Sequence, residues 1–295
     1  MAFSHILVGA SEHAADPAVR SIAPTDLADA LKKGWDDFSA MPSHAVFLCV
    51  IYPAIGILAA ALTLGYAFVP LLFPAAAGFA LIGPFAALGL YELSRRREAG
   101  LEVSAVDAFE VVRSPSIGAI VALGLLLMAI FLVWMATAHA IYTTFFGYGS
   151  PESISQFIHD LFFTRAGWNL ILVGNGVGLL FAIAAFLVSA VSFPLLLDRE
   201  VGAAVAMLTS LRVVVRNPLT MALWGLIVAV LFVIGTIPLF LGLAVVLPVL
   251  GHASWHLYRK AVVADLSPRA EFRPQPPGKH YAAEFPVSLF KRTKE

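Results

Sequence analysis

Four stretches of this chain, residues 45–91, 114–151, 166–197 and 217–251, contain no Asp, Glu, Lys or Arg. One α-helical bilayer crossing takes about 20 predominantly apolar residues. Each run is long enough for a crossing, and the longest for two. In hydrocarbon every backbone polar group must be satisfied within the segment, which favours helices. With 60% apolar and only 13% charged residues, and a mean hydropathy of +0.86, a soluble domain with buried helices is a poor fit. The expected fold class is all-α, a polytopic helical membrane protein.

Six spans fit the runs, at about 44–64, 69–92, 116–141, 169–194, 219–235 and 238–257. The last two divide a stretch with Gly235 and Pro238 in its middle, enough for a tight hairpin. Residues 1–24, with Pro17 and Pro24, read as a disordered tail, residues 25–260 as the membrane domain, and 261–295, rich in Pro, as a second tail. Acidic residues from Glu12 to Asp37 interrupt any hydrophobic region at the start, so it does not read as a signal peptide.

With alternate loops assigned to opposite sides, 18 of the 19 Lys and Arg fall on one side and Arg165 alone on the other. The positive-inside rule then places both termini in the cytoplasm, in an inner membrane. The formal net charge of zero gives no general attraction to nucleic acid. The lone Cys49 excludes an intramolecular disulfide.

Three amphipathic segments lie on the basic side. In 25–38, with Thr25 as N-cap, Leu27, Leu31, Trp35 and Phe38 share a face, which suits a helix at the membrane surface with Trp35 at headgroup depth. In 101–112 the apolar face is Leu101, Ala105, Ala108, Phe109 and Val112. In 202–215 the polar stripe is narrow, chiefly Arg212 and Arg216 with Thr209. Each is followed by a Pro that opens a span: Pro42, Pro115 and Pro218. Pro84 precedes Arg95, and Pro248 precedes Arg259, by the same eleven residues, which aligns Tyr91-Glu92 with Trp255-His256. Arg97-Glu98-Ala99-Gly100 likewise matches Arg199-Glu200-Val201-Gly202. The expectation is three parallel repeats, each a surface helix followed by a two-helix hairpin. On the other side, SISQFIHDLFF within 143–167 reads as a short interfacial helix.

Few residues offer chemistry. His252 and His256, four apart on one face, can hold a metal or one side of a haem, but no third ligand stands beside them in the sequence. They are the weak cofactor candidates; no cofactor is expected. Glu92 can reach His256 if the repeats close on one another, or pair with Arg95 or Arg96. Arg95, Arg96, Arg97, Arg113, Arg199, Arg212, Arg216 and Arg259 form a basic ring suited to anionic lipid headgroups. The GNGVG run at 174–178 lacks the strand and the Lys-Ser/Thr pair of a nucleotide loop and reads as a close-packing site, with Asn169 and Asn175 hydrogen-bonding across it. No catalytic set can be assembled.

The segments LLFPAAAGFALIGPFAALGLYELSRRREAG, SFPLLLDREVGAA, VVVRNPLTMALWG and PLFLGLAVVLPVLGHASWHLYRKAV resemble a family of bacterial predicted integral membrane proteins, domain-of-unknown-function family 2189, over roughly residues 28–263. Some relatives carry the label of cytochrome c oxidase subunit. That label implies at most an accessory role, since the catalytic oxidase subunit has about twelve spans and more metal-binding histidines. The expected function is therefore a non-enzymatic inner-membrane component, accessory, assembly or lipid-organising, with lipids and a membrane complex as partners. The alternatives are a transporter of a small or lipidic substrate and a membrane enzyme using His252, His256 or Glu92.

Overall fold

A computed structural model describes residues 17–41, 66–71, 73–75, 83–85, 87–237 and 241–264. The span expected at 44–64, residues 72, 76–82 and 86 of that at 69–92, Cys49 and His44, and the tail beyond 264 lie outside the described residues. Residues up to Val263 form one compact unit.

Every described element is a helix. In order they are α1 (Pro24–Ala40), the 3₁₀ turn η1 (Tyr66–Leu71), α2 (Leu88–Glu98), the 3₁₀ helix η2 (Ala105–Arg113), α3 (Ile117–Phe146), α4 (Ile154–Phe163), α5 (Arg165–Ser189), α6 (Ser192–Asp198), α7 (Ala203–Arg216), α8 (Pro218–Thr236) and α9 (Leu243–Ala261). Among the described residues, three helical stretches are long and apolar enough to cross a membrane: Ile117–Phe146, Arg165–Asp198 and Pro218–Thr236.

Local chemistry sets the boundaries. Ser153 caps α4 by accepting from the Gln156 N–H at 3.1 Å, and Thr164 caps α5 by accepting from Gly167 at 3.0 Å. The tight turn between α4 and α5 requires glycine at 167, because a Cβ there would lie 2.2 Å from the Leu161 carbonyl oxygen. Gly147, at φ 76°, ends α3 in the conformation that costs other residues most. Pro194 has no N–H to offer the Ala190 carbonyl one turn earlier, and the long helix breaks there at Ala190–Val191, separating α5 from α6.

Several expectations shift. α1 starts at Pro24, not after Thr25; its N-cap is Ala23, whose N–H donates to the Asp26 carboxylate at 2.9 Å. α2 runs on through Arg95–Arg97, and η2 is a 3₁₀ helix. The helix expected at 116–141 reaches Phe146, that at 169–194 begins at Arg165 and breaks at 190, and that at 238–257 is Leu243–Ala261. The end of the first expected tail is held in place: Val19 bridges Val262, Arg20 N–H donates to Ala261 O at 2.8 Å, and Asn217 binds the backbone of both Arg20 and Ile22. A polar residue before Pro218 read only as a helix opener is thus also the anchor for an N-terminal strap.

The inner ends of α2, α6 and α9 contact one another. Tyr91, Phe193, Leu195, Trp255 and Tyr258 are buried where they meet. Around them η2 packs on α2, α7 on α5 and α6, and α1 on α9. At the last contact Gly34 lets the two backbones approach closely, since a Cβ there would lie 2.7 Å from the Ala253 nitrogen. Away from this cap, α3, α5 and α8 turn large apolar side chains outward, Leu125 (65% exposed), Leu172 (66%) and Leu219 (85%) among them, as helices facing lipid or partner helices do.

Candidate functional site

α1, α2 and α9 meet around one carboxylate, Asp37. α1 places it by burying a stripe at 3-4-3-4 spacing, Leu27, Ala30, Gly34, Asp37 and Met41. The stripe expected from the sequence, Leu27, Leu31, Trp35 and Phe38, is rotated from this one. Leu27 and Phe38 of the expected stripe are buried and Leu31 packs against the core, but Trp35 is 52% exposed, the close approach of α9 being made at Ala30 and Gly34.

Asp37 Oδ2 accepts from the Ser94 hydroxyl at 2.7 Å and meets His256 Nε2 at 2.8 Å; its Oδ1 takes Arg97 at 2.9 Å. Arg97 also donates to the Asp36 carbonyl at 2.7 Å. Ser94 Oγ lies 2.7 Å from His252 Nδ1. An ionised carboxylate only accepts and a hydroxyl has one hydrogen, so Ser94 spends its proton on Asp37 and His252 must donate from Nδ1. His252 Nε2 is then bare, fully buried and without a hydrogen bond. Burial opposes the charge on Asp37, but the hydrogen bonds from His256 and Ser94 outweigh it and hold the carboxyl below its ordinary value.

The two histidines are therefore joined, but through Asp37 and Ser94. Asp37 and Ser94 were missed in the sequence because each lies among residues of ordinary surface character. The available signal was the spacing of Asp37 from Ala30 and Gly34. Glu92 does not reach His256. It is buried against the guanidinium groups of Arg95 at 2.6 Å and Arg96 at 2.8 Å. Among the described residues no group of three or more His, Cys, Asp or Glu is arranged to hold a metal.

A second polar cluster closes the junction of α2, α6 and α9. Glu98 accepts from Trp255 Nε1 at 2.9 Å and Arg259 Nε at 3.0 Å. Asp198 accepts from the Tyr258 hydroxyl at 2.7 Å and has Arg259 at 3.7 Å. Arg199, adjoining Asp198 in sequence, donates to the Val263 carbonyl.

Most arginines of the expected basic ring thus face carboxylates of this chain. Arg96 reaches Glu92, Asp107 and Glu110, Arg97 reaches Asp37, Arg113 reaches Glu110 at 3.5 Å, and Arg259 reaches Glu98. Arg212 and Arg216 differ in setting: with Leu211, Val215 and residues 17–19 they line an open groove of about 600 Å³. Arg216 donates to the Ser21 hydroxyl at 3.3 Å. In the GNGVG run only Gly178 meets a neighbouring helix, at Trp134. Nothing described lies within 4 Å of a Cβ placed at Gly174 or Gly176. Asn175 bonds back to Ile171 of its own helix at 2.7 Å.

Long apolar helices gathered under a polar, ion-paired cap define a helical integral membrane protein. Residues 72–198 match the model of the DUF2189 family, described as a predicted integral membrane protein, which is the family the sequence blocks resemble. No curated protein and no solved structure matches the chain.

Proposed function

We propose that this protein is a non-enzymatic component of a bacterial inner membrane, built as a closed ring of three helical hairpins with six crossings and both termini cytoplasmic. The observation that carries this reading is the order of the surface helices. η2 packs on the returning helix of the hairpin before it, α2; α7 packs on α5 and α6 of the hairpin before it. α1 in its turn packs on α9, the returning helix of the hairpin that α9 makes with α8. Three equivalent contacts in cyclic order are what a triplicated ring requires.

The ring's inner face is closed by the ion clusters at Asp37 and at Glu98 and Asp198. His252, His256 and Arg97 are held in the first and Arg259 in the second, while Glu92 pairs separately with Arg95 and Arg96. Outside these clusters lie apolar helix surface and the α7 groove, where Leu211, Val215 and Arg216 suit the acyl chain and phosphate of an anionic lipid. This supports a role in organising lipid or in assembling on a larger membrane complex, a respiratory oxidase being one.

The test is gentle detergent extraction at native expression level, mass spectrometry of all co-eluting species, and an absorption spectrum from about 350 to 700 nm for haem. Stoichiometric partner subunits or tightly retained anionic lipid is the expected result. Saturable solute flux in vesicles containing only this protein would contradict it. The transporter reading has its own support in the broken helix at Ala190–Val191. It demands that the Glu98, Asp198 and Arg259 contacts part during the cycle.

A further inference from the structure

The far end of α3 builds a second kind of site. α3 has 30 residues, and at about 1.5 Å per residue its last turn lies roughly 45 Å from its first. There, remote from the arginine clusters, Tyr142 and Phe146 stand one turn apart with their rings stacked, centroids 5.4 Å apart and 6° from parallel. Phe157, delivered by α4, faces both, at 6.3 Å and 63° from Tyr142 and at 6.1 Å and 57° from Phe146. The Tyr142 hydroxyl donates to the Gly149 carbonyl at 3.1 Å and ties the connecting loop to the rings.

The three rings wall a cavity of about 300 Å³, which Glu152, Gln156 and Asp160 also line. Among the described residues that line it, the charged groups are two carboxylates, Glu152 and Asp160. Gln156 donates to Asp160 Oδ1 at 2.9 Å, a neutral bond that leaves the charge in place. His159 Nδ1 is 3.6 Å from the same oxygen. Arg165, the nearest Arg in sequence, is not part of the lining. Ring faces carry negative quadrupole potential and attract a cation most when it is weakly hydrated. A hard metal ion holds its water or takes oxygen ligands, which aromatic walls do not supply. Two carboxylates would also repel an anion.

We propose that this pocket binds an organic ammonium cation, the amine or trimethylammonium group of a phospholipid or of a free small molecule. The group sits against the open side of the packed ring cluster, with Glu152 and Asp160 neutralising it.

The test is calorimetric titration of the full-length protein in maltoside micelles with choline chloride, sodium chloride serving as control, together with native mass spectrometry of lipids retained from nanodiscs of phosphatidylcholine, phosphatidylethanolamine or phosphatidylglycerol. Choline binding that weakens at least about tenfold in the Glu152→Gln/Asp160→Asn double variant and in Phe157→Leu identifies a free cation as ligand. Retention of the choline or ethanolamine lipid alone, lost in the same variants, identifies a headgroup. Glu152 is exposed and Asp160 half-buried, so the double variant remains informative should Phe157→Leu fail to fold. No binding of choline or of either ammonium lipid, binding unchanged in the double variant, or equal retention of phosphatidylglycerol would overturn the proposal.

Discussion

α1 and α7 carry similar amphipathic patterns on the same end of the molecule, and the structure uses them in opposite ways. α1 buries its stripe against α9 and keeps Trp35 outside. α7 buries Ala203, Ala206, Thr209, Ser210 and Val213 and leaves Leu208, Leu211 and Val215 exposed. η2 does likewise with Val106, Phe109 and Val112. The large apolar residues of an amphipathic helix thus need not mark the side that meets protein. In η2 and α7 the smaller residues mark it, while α1 buries the large Leu27 and Phe38 beside Ala30 and Gly34; the exposed apolar side of η2 and α7, each leading directly into a long apolar helix, suits the membrane interface.

The largest effect expected is at the carboxylate that α1 buries. Asp37→Ala leaves Ser94, His256 and Arg97 without their shared acceptor, and breaking such a set costs on the order of 3 kcal/mol. Thermal unfolding in detergent should report it, while Asp37→Asn, which keeps the shape and loses the charge, should cost less. An unchanged midpoint in Asp37→Ala would break the comparison, by showing that α1 is docked as loosely as an interfacial helix.

Gly34→Leu comes next. Its side chain must displace the α9 backbone at Val249 and Ala253, for a cost of about 1–3 kcal/mol. Hydrogen exchange over residues 24–40 should rise, with the exchange of α7 unaffected.

A pH titration sharpens the same contrast. Because the folded-state pKa of Asp37 is depressed, the stability it adds is present above its ordinary value of 3.8 and is lost as pH falls through the lower, folded value. α1 should therefore loosen in acid, and Asp37→Asn should flatten that dependence. The smallest stability change is expected at Lys260, which reaches Asp26 at 3.0 Å and Asp29 at 2.9 Å but is partly exposed; Lys260→Ala should cost about 0.2–1 kcal/mol.

A change of no stability at all distinguishes the other helices. In a Cys49→Ser background, nitroxides placed by Phe109→Cys or Leu208→Cys should be accessible to oxygen dissolved in the bilayer. One placed by Lys33→Cys should be accessible to a water-soluble relaxant instead. Equal water accessibility at all three positions would remove the distinction between interfacial and docked helices.

The helical membrane class was legible in the sequence because uncharged length is a local property. Helix starts at Pro115 and Pro218 were legible for the same reason, proline acting on its own neighbours. The site was only half legible: His252 and His256 announce themselves by spacing, but Asp37 and Ser94 join them from 219 and 158 residues away. Nothing local marks such partners. Glu92 and its arginines, three and four residues apart, were readable as an i,i+3 and i,i+4 set. The strap at residues 17–23 was not, because its backbone is satisfied by Asn217 and by the end of α9, partners that no composition rule supplies.

Closure of α1 on α9 is the central claim, and native residues allow it to be tested without mutation. Zero-length carbodiimide coupling in intact membranes, followed by digestion and mass spectrometry, should join Lys260 to Asp26 or Asp29, since both carboxylates stand within 3.0 Å of the amine and are partly exposed. A linked peptide pair in the monomer band is the predicted result. Its absence, while Lys33 and Asp29 couple within α1, would contradict the closed ring.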